Sequence, residues 1–110
     1  MTVRNLIEKL GLEVLAGCDA LDNEINGCYC CDLLSWVMAH AQPGNIWITI
    51  QTHSNIVAVA MLTDISCIII PEAISVDEDT ITRANENSVV ILRSKDNAYV
   101  IAGQLHALNI

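Results

Sequence analysis

Thr2 precedes a stretch in which Leu6, Ile7 and Leu10 recur at helical spacing, and Gly11 can take the left-handed conformation that ends a helix, so the pattern predicts a short opening helix. Residues 12–16 alternate as a strand does, residues 17–23 form a turn-rich connection, and residues 25–31 make a second extended run. Asp32 is expected to cap a helix that carries Leu33, Leu34, Val37, Met38 and Ala41 on one face and stops at Pro43-Gly44. Ile46-Trp47-Ile48-Thr49-Ile50 is a β-rich run closed by a polar cluster, after which residues 56–62 stay apolar. Two alanines among the valines predict a helix there, capped by Ser54 or Asn55 and buried on nearly all sides.

Cys67-Ile68-Ile69-Ile70, bounded by Pro71, reads as an interior parallel strand. Asp77, Glu78 and Asp79 gather at the start of a further helix running through Asn85, where carboxylates suit the positive end of the macrodipole. Residues 88–92 form the last strand, and residues 98–108 a terminal helix with Val100, Ile101, Leu105 and Leu108 inward. Strands separated by helices are the signature of a parallel sheet with crossover connections. The expected fold is therefore α/β: one domain over residues 1–110, with a small, mostly parallel sheet between layers of helices. The first two strands either pair as a hairpin or form a separate edge, which makes the sheet mixed.

Composition narrows the function classes. Of 110 residues 53% are hydrophobic and 16% charged, against about a quarter charged in an ordinary domain, so part of the surface is expected to be covered. Five Lys and Arg face thirteen Asp and Glu, a net charge of −8, and the cations are scattered singly at Arg4, Lys9, Arg83, Arg93 and Lys95. No basic stripe is available for nucleic acid or an anionic membrane. No Asp, Glu, Lys or Arg lies between Asp32 and Asp64, yet Gln42-Pro43-Gly44-Asn45 and the polar residues 51–55 break that stretch too often for a membrane span. The amino terminus lacks the apolar core of a secretory signal, and five cysteines, two of them adjacent, make a poor disulfide framework. Both features point to the cytoplasm and to free thiols.

In open α/β sheets ligands bind beyond the carboxyl ends of strands, which directs attention to the loops at residues 51–55, 71–76 and 93–97. Gln51, Thr52, His53, Ser54 and Asn55 stand directly before a helix whose first amides suit a phosphate or carboxylate; the plainer reading is a turn and cap. His53 has no acidic neighbour in sequence, leaving Asp32, Glu72 or Asp96 to approach it in space. His40 and His106 read as structural. Cys28-Tyr29-Cys30-Cys31 forms a second constellation. Strand alternation puts Cys28 and Cys30 on one side and Cys31 on the other, so a metal or iron–sulfur site needs Cys18, Cys67 or a second copy to complete it; otherwise the thiols pack as small hydrophobes. Phosphate-loop, dinucleotide and nucleophile-elbow motifs are absent, and no nucleophile–base pair is visible, which makes an enzyme the least supported class.

The run Asn26-Gly27-Cys28-Tyr29-Cys30-Cys31-Asp32-Leu33-Leu34-Ser35-Trp36-Val37-Met38, followed by residues 44–60, the opening Thr2-Val3-Arg4-Asn5-Leu6 helix and the Cys67-Ile68-Ile69-Ile70 strand, resembles the stand-alone DRTGG domain proteins of anaerobic bacteria. Similar domains occur in HPr kinase/phosphorylases and some phosphotransacetylases, and the fold resembles the amino-terminal domains of Mur ligases. The five-residue string that names the family is missing, and the turn Thr52-His53-Ser54-Asn55 stands in its place. The resemblance implies a non-catalytic regulatory or ligand-sensing domain, a homodimer, with no identified cofactor; an association with iron hydrogenase systems keeps the cysteine site in view. On this reading a nucleotide or other small anion docks at Gln51, Thr52, His53, Ser54 and Asn55 with help from Asp32 and Glu72, and the alternatives are a metal or iron–sulfur accessory protein using Cys28, Cys30 and Cys31, or a purely structural interaction module. The charge-free stretch supplies the interface: a helix apolar all round needs two coverings, and the second is expected to be another copy meeting residues 56–62 or 33–41.

Overall fold

The opening helix forms where its signals stand. In the computed structural model, which describes Met1–Ile110, α1 (Val3–Leu10) begins at a reciprocal cap: Thr2 Oγ1 accepts from the Asn5 N–H at 3.2 Å, and Asn5 Oδ1 accepts from the Thr2 N–H at 3.0 Å. Gly11, at φ 64°, closes it. The chain continues as β1 (Glu13–Ala16), one 3₁₀ turn (Cys18–Ala20), β2 (Gly27–Cys30), α2 (Leu34–His40), β3 (Asn45–Ile48), α3 (Asn55–Thr63), β4 (Cys67–Ile70), α4 (Glu78–Glu86), β5 (Ile91–Arg93) and α5 (Ala98–Ala107).

The five strands form one sheet in the order β1-β5-β4-β3-β2. β2, β3, β4 and β5 are parallel, and β1 runs antiparallel along β5. The mixed α/β sheet is thus as expected, but the first two strands do not pair: they occupy opposite edges. The hairpin alternative fails because the β2–α2–β3–α3–β4–α4–β5 succession builds the sheet back towards β1, which fills the free side of β5.

Alternation along each interior strand feeds two cores. Trp47, Ile68, Ile70 and Ile91 face one side, where Val37 of α2, Ile56, Val57, Val59 and Ala60 of α3 and Ala84 of α4 cover them. Ile46, Ile48, Cys67, Ile69 and Leu92 face the other, against Val3 and Leu6 of α1 and Ile101 and Leu105 of α5. All four β4 residues are buried, as a strand covered on both faces must be. The crossover helices α2, α3 and α4 therefore share one face of the sheet, and α1 and α5 share the other.

Several local expectations are corrected. Asp32 does not cap α2; Leu33 occupies that position without a side-chain bond, because the Asp32 carboxylate is engaged at the end of β3. Neither Ser54 nor Asn55 caps α3: Ser54 has helical backbone angles and makes no capping bond. α3 is not enclosed all round, since Ala58, Met61 and Leu62 face outward, Leu62 with 75% of its surface accessible. Met38 and Val100 are exposed instead of inward, and Leu33 projects from the start of α2. No helix is long and apolar enough to cross a membrane.

Candidate functional site at the carboxyl rim of the sheet

The loops that leave β2, β3, β4 and β5 meet along one rim. At its β2–β3 end the Asp32 carboxylate accepts the Thr49 hydroxyl at 2.8 Å and the Ile50 N–H at 3.0 Å, while Gln51 Nε2 donates to the Asp32 carbonyl at 3.0 Å. Trp47 Nε1 donates to the Cys31 carbonyl at 2.8 Å. These bonds clamp the exit of β2 to the exit of β3. Thr80, buried in α4, donates its hydroxyl to the Thr52 carbonyl at 2.7 Å, which fixes the far side of the turn.

The first amides of α3 are already occupied. The Asn55 N–H donates to His53 Nδ1 at 3.3 Å, the Ile56 N–H to the His53 carbonyl at 3.1 Å and the Val57 N–H to the Ser54 carbonyl at 3.1 Å. A ligand at this turn is left with side chains: His53 and Asn55 are exposed, and Gln51, Thr52 and Ser54 are half-buried. Because His53 Nδ1 accepts, its Nε2 is the outward donor. Ser54 lines a groove of about 450 Å³ between α3 and α4, where Asp79 holds Arg83 at 3.1 Å.

Of the two acidic helpers, Asp32 stands beside the turn and Glu72 turns towards the neighbouring loop. After Pro71 the chain makes a tight turn in which Glu72 (φ 60°) and Ala73 (φ 52°) are both left-handed and the Ile74 N–H donates to the Pro71 carbonyl at 3.3 Å. Non-glycine residues adopt this region at a cost of about 1 kcal/mol each. The Glu72 N–H donates to the Asp96 carbonyl and the Ala73 N–H to the Ser94 carbonyl, both at 2.8 Å, so the exits of β4 and β5 are tied together. Beside them lies a cavity of about 600 Å³, lined by Leu10, Gly11, Glu13, Ala73, Ser75, Arg93, Ser94, Lys95 and Asp96. Its loops were visible in the sequence, but its importance depends on which face each following helix takes.

The cysteines divide as alternation requires. Cys28 packs against the α1–α5 core and Cys31 against the α2–α4 core. The Cys28 thiol hydrogen-bonds Cys30, which raises Cys28, together with burial, and lowers Cys30 to about 7. Burial pushes Cys67 up to about 12. No three His, Cys, Asp or Glu side chains gather within the chain in a metal-holding arrangement.

No curated protein sequence matches this chain. The fold is similar to part of a solved structure, the CBS and DRTGG domains of the regulatory region of Clostridium perfringens pyrophosphatase complexed with the activator diadenosine tetraphosphate: TM-score 0.73 at 14% sequence identity, over 94% of this chain and 45% of that one. The chain therefore spans less than half the length of that structure, and at such identity the likeness concerns the fold. The DRTGG domain model matches residues 5–108, nearly the whole sequence, and the chain belongs to the DRTGG domain family.

Proposed function

We propose that this chain is a non-catalytic regulatory domain that senses a nucleotide or other small anion at the carboxyl rim, with Gln51, Thr52, His53, Ser54 and Asn55 as the contact surface and Asp32 and Glu72 flanking it. The observation that carries this reading is the turn after β3: its backbone is held by Asp32 and Thr80, and His53 and Asn55 are exposed on it at the end of an interior parallel strand. Membership of the DRTGG family, and a fold shared with a regulatory region solved with a nucleotide activator, support it. Calorimetric and thermal-shift titration against nucleotides and phosphometabolites tests it. A ligand-dependent shift that His53→Ala abolishes is expected; no shift across the panel contradicts the reading.

The same proposal includes a homodimer. Leu33, Trp36, Met38, Met61 and Leu62 are exposed on α2, α3 and the residue before α2, in the stretch without Asp, Glu, Lys or Arg. For a chain of net charge −8, this is the face on which a second copy meets the least repulsion.

A second reading has Cys28 and Cys30 hold a metal ion or iron–sulfur cluster, with Cys31 of the original trio directed to the opposite core. It is favoured by two neighbouring thiols on the open edge strand β2. Four thiolates then require two copies. Anaerobically purified protein should carry stoichiometric iron or zinc; a colourless, metal-poor preparation ends this reading.

A further inference from the structure

The change of face after β5 marks a second place on the rim. β4 leads through residues 71–77 to α4, which covers the core containing Ile68 and Ile70, whereas β5 leads through residues 94–97 to α5 on the opposite core. Successive connections after β2, β3 and β4 all leave to one face, so β4 and β5 are the adjacent parallel strands whose exits diverge. In open α/β sheets such a divergence opens the ligand crevice. The cavity of about 600 Å³ lies here, and its volume is that of an ordinary small-molecule site.

Its lining has a definite chemistry. Lys95, one of the chain's five cations, is exposed in the wall and forms no ion pair, whereas Arg93 is fixed by Glu13 at 2.9 Å. Ser94, buried to 8% exposure, accepts the Asp96 N–H at 3.0 Å and keeps its own proton to donate. Ser75 adds a hydroxyl, and the Glu13 and Asp96 carboxylates add acceptors. Leu10 and Ala73 are the apolar members, and no aromatic ring is present for a base to stack on.

We propose that this β4–β5 crevice is a binding site, distinct from the turn at residues 51–55, for a small hydroxylated phosphate ester of the sugar-phosphate class. Lys95 and the Ser94 hydroxyl meet the phosphate; Ser75, Glu13 and Asp96 meet the hydroxyls of the ligand. The strained Glu72-Ala73 turn and its two bonds to the β5 exit hold the crevice open in a fixed shape.

Isothermal titration of the full chain with ribose 5-phosphate, inorganic phosphate and adenosine separates the contributions. Ribose 5-phosphate should bind more tightly than phosphate, and adenosine should not bind. Lys95→Gln should weaken ribose 5-phosphate at least about tenfold, the loss of one charge-assisted contact, while Arg4→Gln, which removes an exposed cation outside the crevice, leaves it unchanged. Ser75→Ala, also on the surface, should weaken it less. Failure of ribose 5-phosphate to bind at millimolar concentration, equal affinity of Lys95→Gln, or binding of adenosine alone would overturn the assignment. Loss of binding in His53→Ala but not in Lys95→Gln would overturn it too, and would favour the turn.

Discussion

Cys28 and Cys30 carry the same functional group on the same side of one strand, yet their mutual hydrogen bond and the deeper burial of Cys28 push their pKa values apart. The thiolate of Cys30 accepts the Cys28 S–H, which lowers Cys30 to about 7, while Cys28 is held as a thiol. Since the thiolate is the nucleophile, alkylation of Cys30 by iodoacetamide should accelerate as pH rises through about 7 and level off above it. Cys28→Ala removes the donor and should move that inflection up towards about 8.5, the range of an ordinary thiol; an unmoved inflection, followed by mass spectrometry of the Cys30 peptide, contradicts the pairing. The alternation that puts these two thiols together was legible in the sequence. The role of Asp32 was not. A carboxylate just before a helix reads as its cap, but the competing donors, the Thr49 hydroxyl and the Ile50 N–H, arrive from the loop just beyond β3, seventeen and eighteen residues later.

At the scale of elements, β-rich and continuous apolar runs identified the interior strands β3 and β4, and the apolar run of α3 identified a helix, because both patterns are local. Faces and partners were less legible. α3 is apolar on both its buried and its exposed sides, so its sequence carries no sign of which side meets the sheet, and Met61 and Leu62 point away from it. α2 adds Trp36, 52% exposed and stacked on His40 with ring centroids 4.1 Å apart. If a second copy covers this surface, light scattering should give twice the chain mass, and Leu62→Glu should shift it towards the monomer without loss of helical circular dichroism. A wild-type protein that is monomeric at micromolar concentration contradicts the homodimer. β1 and β2 illustrate a different difficulty: their nearness in sequence suggested a hairpin, but their final neighbours, β5 and β3, lie further along the chain. Gly17 is similarly decided from afar. At φ 78° its missing Cβ leaves room for the Val89 carbonyl, and its N–H donates to Asn85 Oδ1 at 2.9 Å.

For the whole molecule, the sheet order determines where function can reside. Three crossovers on one face and a reversal after β5 leave a rim with two unlike ends: the clamped turn after β3, and the crevice between the exits of β4 and β5. The exposed apolar side chains of α2 and α3 mark a further surface, the one proposed for self-association. The three rim loops were nameable from the sequence, since each follows a predicted strand; their ranking was not, since it depends on the face taken by α5 and on amides that the turn itself consumes. The central claim is that this DRTGG domain recognises a small anion at that rim. Amide chemical-shift mapping during titration with a nucleotide and phosphometabolite panel tests it most directly. Saturable shifts centred on residues 51–55, 71–76 and 93–97 are predicted; an unresponsive spectrum, or shifts centred on the opposite rim around Asn26 and Gly44, would contradict it.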